Sequence, residues 1–168
     1  MKPVEGTFPT YFANYIQLVK EDHLIEALNH QATIVTTFFD DLPIEIADYS
    51  YAPGKWTLKE LMQHIIDTER IFAYRSLCIA RKETQSLTSF DENMYVANSY
   101  ANNRNWTDMI KEFKLVRQTT ELLFQSFEEE VFMHTGLSSN NPVTVNALGF
   151  IIVGHVYHHI NVIKEKYL

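Results

Sequence analysis

A single cysteine, Cys78, stands among 168 residues, so the chain can form no intrachain disulfide and no multi-thiolate zinc site. Any metal it holds must be bound by histidine, carboxylate or carbonyl groups. Basic residues are also in deficit. Fourteen Lys and Arg against 21 Asp and Glu give a formal net charge of -7, which repels a phosphate backbone and argues against nucleic acid as a partner. Apolar runs break at a charge or a histidine well before the length of a membrane span. The N-terminal stretch MKPVEGTFPTYF lacks the apolar core of a signal peptide, and together these features predict a cytoplasmic protein with no membrane partner. Asn-Gly and Asp-Gly pairs are missing, as are alternating strands, internal repeats and low-complexity tracts. No serine sits in a nucleophile elbow, and no glycine-rich loop could cradle a phosphate.

What remains is helical periodicity. The 46% hydrophobic share of the 168 residues supports one domain, 1–168, with a sizeable core. An N-terminal arm carries Phe8, Tyr11, Phe12 and Tyr15, aromatics expected to pack onto the body. A first helix is expected over 22–41, with Leu24, Leu28, Gln31, Val35 and Phe38 along one face, ended by Pro43. A second, over 57–82, opens with Thr57 and Glu60 as a capping box and with Trp56 able to staple onto Leu61. Residues 83–105 are polar and Asn-rich, with room for one short helical turn. So long a link lets the third helix, 107–127, begin at either end of the second. The turn TGLSSNNP precedes a fourth helix, for which Asn141 is the expected cap and Pro142 the first residue. The predicted fold is all-α: a four-helix bundle with a long crossover between its second and third helices.

The closing segment GHVYHHINVIKEKYL puts three of the seven histidines into an otherwise apolar helix. At about 100° per residue, Leu148, Ile151, Ile152, Val162 and Ile163 all lie within about 80° of His155 and His159. That pair therefore occupies the stripe bound for the core, where an unpartnered ring would cost about 1–3 kcal/mol. Either carbonyls or carboxylates satisfy them, or a metal does: the i, i+4 spacing sets two imidazoles one turn apart, as in HExxH zinc helices, though the glutamate of that motif is absent. Gly154 would let another helix or a ligand come close. His158 lies on the margin of the stripe, as a surface group or one that supports a ligand. For a third ligand the candidates are His23, His30, His64 and His134. His23 and His30 share a polar face and His134 a loop, whereas His64 sits at the boundary of the second helix's apolar face. Phe150, Val153 and Tyr157 lie opposite the histidines and would provide a second apolar surface for packing or for a homodimer. Cys78, between Leu77 and Ile79, reads as packing rather than as a nucleophile.

YAPGKWTLKELMQHIIDTERIFAYR (51–75) together with ALGFIIVGHVYHHINVIKEKYL (147–168) resembles the DinB-like superfamily. These are four-helix bundles that include the YfiT-like bacillithiol transferases and proteins described as metal-dependent hydrolases. The likeness lies in the PG-x-W-[ST] lead-in, a histidine on the following helix with an aspartate three residues later, and a late H-x-x-x-H. It implies His64, His155 and His159 as metal ligands, with Asp67 at the acidic position beside them. The family shares its name with an unrelated DNA polymerase, and no polymerase activity is implied.

Three imidazoles leave coordination positions open, the pattern of catalytic zinc. Zinc or nickel is the expected divalent metal, with iron also suited to the donors. The resemblance implies a metal-dependent enzyme acting on a small-molecule substrate, foremost a thiol S-transferase of bacillithiol type with a low-molecular-weight thiol as co-substrate. In it Asp67 would orient a histidine or take a proton, and Arg75 would hold a carboxylate. The alternatives are a hydrolase using metal-activated water and a non-catalytic, metal-stabilised dimeric module.

Overall fold

A computed structural model describes all 168 residues. Six helices form: α1 (Ala13–Leu18), α2 (Leu24–Asp40), α3 (Leu58–Ala80), α4 (Glu92–Asn98), α5 (Trp106–Gln125) and α6 (Val145–Lys166). The four long ones, α2, α3, α5 and α6, make the predicted bundle. α3 begins at the expected capping box: Thr57 Oγ1 accepts from the Glu60 amide and the Glu60 carboxylate accepts from the Thr57 amide. None of the helices is long and apolar enough to cross a membrane.

The link after α3 runs back along the whole helix. Asn102, just before α5, meets Thr57 and Glu60 at the start of α3. α3 and α5 therefore run parallel, as the rungs Gln63–Arg104, Arg70–Glu112 and Glu69–Arg117 record. α2 and α6 run the other way. Each long helix packs against its parallel mate and one antiparallel helix, α3 against α5 and α6 and α2 against α6 and α5, so that α2/α3 and α5/α6, consecutive in the chain, stand on diagonals. α4 forms the helical turn within the link, capped by the Asp91 carboxylate on the Met94 amide.

The fourth long helix begins later than the sequence reading has it. Asn141 and Pro142 are not its cap and first residue; they belong to a strand. β1 (Thr135–Ser138) and β2 (Asn141–Thr144) form an antiparallel hairpin. Ser139 and Asn140, at φ of 53° and 62°, supply the two left-handed residues that its two-residue turn demands. No glycine marks that turn, which is why the strands were absent from the expectation. Thr144 caps α6 instead, its hydroxyl accepting from the Ala147 amide. Leu87 pairs alongside Ser138, tying the long link to the hairpin.

The apolar interior has two clusters, one at each end of the bundle. On every long helix, polar side chains fall between them: Gln31 on α2; Thr68 and Glu69 on α3; Arg117 and Thr120 on α5; His155 on α6, with His64 and His159 just inside the first cluster's stretch. Within this layer Arg117 donates to Glu69 Oε2 at 2.8 Å and to Gln31 Oε1 at 2.7 Å. Gln31 Nε2 in turn donates to the Val153 carbonyl at 2.7 Å. One guanidinium thus ties all four helices together at one level.

The face of α6 opposite the histidines is used for packing within the chain. Phe150 and Val153 are fully buried within the chain, and Tyr157 is half-buried. α1 packs on α6 at Gly154, where a Cβ would lie 2.0 Å from the Tyr15 carbonyl oxygen, so only glycine admits that approach.

Removing Arg117 would strand the Glu69 carboxylate in the core, at a cost of about 3–5 kcal/mol. Arg117→Met is expected to lower the urea midpoint accordingly. Arg117→Met combined with Glu69→Leu should recover most of the loss, because no unpaired buried charge remains. Equal midpoints for wild type and the single variant would show that the layer does not hold the bundle.

Candidate metal centre

His64 on α3 faces His155 and His159 on α6 across the antiparallel pair. His155 Nε2 lies 3.0 Å from His64 Nε2 and 3.0 Å from His159 Nε2, and one ring nitrogen from each residue falls within 4.8 Å of the others. All three residues are buried. His155 Nε2 meets two other ring nitrogens. A neutral ring offers either one proton or one lone pair at that atom, so one shared hydrogen bond cannot satisfy both contacts well. A cation placed among three nitrogen lone pairs resolves the conflict, and the donor set fits a divalent metal of the zinc, nickel or iron kind. The other ring nitrogen of His159, Nδ1, is buried and has no partner.

Burial also keeps the rings neutral. Desolvation, followed by the nearby His158 ring, pushes the His64 pKa down to about 4. Desolvation and the neighbouring histidines drive His155 and His159 well below the ordinary histidine value. Neutral imidazole is the ligating form, so the lone pairs are available well below neutral pH.

The groups around the triad differ from the expected set. Asp67 makes no hydrogen bond to His64. Its carboxylate accepts from Gln63 Nε2 at 2.9 Å and lies 4.0 Å from the Arg70 guanidinium, at the junction with α5. Thr68 holds the position beside the ring instead, with Oγ1 3.4 Å from His64 Nδ1. The cue was an i, i+4 hydroxyl on the histidine's own face. Tyr15, expected only to pack, stands edge-on to His155 with ring centroids 5.6 Å apart, and is 5.3 Å from the His158 ring. Gly154 was its signal, since the close approach of α1 brings Tyr15 there. Trp56 lies 5.0 Å from the His64 ring, between ring centroids, while also packing on the cluster that contains Leu61. His158 is half-buried beside His159, with ring centroids 4.9 Å apart.

The triad forms one wall of an open cavity of about 500 Å³. Arg75, only 5% exposed, lines the same cavity. Its guanidinium lies over the rings of Phe72 and Phe90 and donates to the Thr88 carbonyl at 2.6 Å. No carboxylate pairs with it; burial lowers its pKa, and only the Tyr11 and Tyr95 phenols oppose that. A buried cation without a counter-ion is ready for an anionic ligand. The one carboxylate on the cavity wall is the exposed Glu92. The remaining histidines stay apart from this site: His23 and His30 are exposed, with His30 bonded to Glu21, and His134 meets the Ala80 carbonyl.

Comparison with curated protein sequences gives no match. Among solved structures, the chain is similar to YfiT from Bacillus subtilis, described as a probable metal-dependent hydrolase with an unusual four-helix bundle topology. The TM-score is 0.73 at 17% identity, over 98% of this chain and 90% of that one. It is also similar to the mycothiol-dependent maleylpyruvate isomerase, with a TM-score of 0.68 at 12% identity, over 82% of this chain and 58% of that one. At these identities the likeness establishes the fold, and this chain spans little more than half of the isomerase. The model of the DinB superfamily matches residues 27–163, most of the chain, and the protein belongs to that superfamily.

Proposed function

We propose that the protein is a divalent-metal-dependent thiol S-transferase acting on small electrophiles, with His64, His155 and His159 as the metal ligands. The observation that carries this reading is the convergence of three buried, neutral imidazoles at the wall of a cavity also lined by a guanidinium with no carboxylate partner. A bound zinc or nickel would supply Lewis acidity, holding a low-molecular-weight thiol as its thiolate near neutral pH. The conjugation forms a C–S bond and breaks the bond to the leaving group, which departs with its electron pair. The thiol proton goes to solvent.

The chain's own residues have distinct tasks in this scheme. Arg75 holds a carboxylate of the electrophile, aligned by the flanking Phe72 and Phe90 rings. Thr68 sets the orientation of the His64 ring. Asp67, engaged by Gln63 and facing Arg70, steadies α3 rather than moving a proton.

A hydrolase using metal-activated water is the second reading, favoured by the description of the Bacillus subtilis neighbour. Water activation is commonly helped by a carboxylate base, and here the cavity offers only Glu92 at its exposed rim. A thiolate needs no such base, which supports the transferase. Dependence on added thiol separates the two: product that forms at the same rate with water alone would establish the hydrolase.

Substituting His64, His155 or His159 with Ala is expected to reduce bound metal at least about tenfold in elemental analysis, whereas His23→Ala and His30→Ala leave it unchanged. Full retention in the first set would refute the ligand assignment. The pH dependence is also distinctive. With the His64 pKa lowered to about 4, few protons compete for its ring between pH 7.5 and about 5, so zinc affinity measured by calorimetry should stay nearly level there and weaken below. An exposed histidine site would instead lose affinity from about pH 6.5 downward.

A further inference from the structure

A second cavity, of about 290 Å³, meets the same histidine cluster from another side. Trp56 and His159 line both cavities and form the partition between them. Trp56 is held there by its chain position: the next residue caps α3, and its own carbonyl accepts from the Tyr167 hydroxyl at 2.7 Å.

The two cavities differ in chemistry. The larger has aromatic walls, Phe12, Tyr15, Phe72 and Phe90, with the unpaired Arg75 guanidinium among them. The smaller holds Tyr51, Lys55, Asn93 and His158, whose side chains make no hydrogen bond or ion pair within the chain, and it has no carboxylate on its wall. Its free donors and acceptors match a polar, hydroxyl-bearing molecule, whereas aromatic walls with a guanidinium match a flat or unsaturated acid.

We propose that the histidine cluster is served by two separate reactant chambers divided by Trp56: the larger takes a carboxylate-bearing electrophile against Arg75, and the smaller takes the polar body of the thiol. This rests on the transferase reading above and extends it by assigning each reactant a side.

The probes are benzoate for the larger chamber and 1-thioglycerol for the smaller, each titrated into zinc-loaded protein. The chain has two tryptophans, so Trp106→Phe leaves Trp56 as the sole indole reporter. Calorimetry on the wild-type protein gives the same constants should that variant fold poorly. Both probes are expected to bind at once, the Kd of either changing less than about twofold when the other saturates. Arg75→Gln should weaken benzoate by about tenfold or more while sparing 1-thioglycerol. Lys55→Ala combined with Asn93→Ala should do the reverse. A benzoate Kd that climbs in proportion to 1-thioglycerol would mean one shared chamber and overturn the proposal, as would 1-thioglycerol binding indifferent to the double variant. Failure of the underlying reading looks different: both probes bind together, yet no electrophile is conjugated to any thiol. In that case the chambers stand and the transferase falls.

Discussion

The architecture depends on one buried guanidinium. Arg117 reaches Glu69 and Gln31, and Gln31 reaches the Val153 carbonyl, so α5, α3, α2 and α6 are bonded to one another at a single height. Apolar clusters above and below could tolerate a helix sliding by part of a turn, because hydrophobic contact is non-directional. Hydrogen bonds in a low-dielectric interior cannot: a shifted helix would leave a charge or an amide without its partner. Burial pushes the Glu69 carboxyl up despite the Arg117 charge beside it, a sign of how costly the arrangement is to desolvate. Such a layer contributes register as well as stability.

Register is what brings the histidines together. Glu69 lies just over one turn along α3 from His64, and Val153 lies two residues from His155, so fixing the height of that pair fixes the facing of the imidazoles. Two further devices complete the setting. Gly154 admits α1 against α6 and thereby stands Tyr15 beside His155. The capping box at Thr57 starts α3 at a defined residue and sets Trp56 against His64. Packing at both ends of the helix pair thus leaves little freedom in the site, which is what metal and substrate geometry require.

Much of the fold was legible along the chain, because helix starts and stops carry local chemistry. Thr57 and Glu60 marked the start of α3, Pro43 followed the end of α2, and the apolar stripe of α6 put His155 and His159 inside. The hairpin before α6 was not legible. Its turn uses Ser139 and Asn140 in left-handed conformations without a glycine, and Asn141-Pro142 imitates a helix start. Asp67 stood near His64 in sequence, yet a three-residue offset on α3 aims it at Gln63 and the Arg70 side of the helix. Phe150 and Val153 formed a second apolar surface open to packing or to a homodimer, and the chain itself packs against them, because periodicity marks an apolar face without telling what will cover it.

By itself the sequence determined that the chain is a bundle of four long helices and that imidazoles would enter its interior, since periodicity and capping act over a few neighbouring residues. Only the tertiary structure decided which helices run parallel, that Thr68, Tyr15 and Trp56 flank the histidines, that Arg75 is left without a counter-ion, and that two cavities meet at one partition. These depend on contacts between residues far apart in the chain. Their energy comes from mutual burial and from hydrogen bonds between helices, and neither exists until the helices have met.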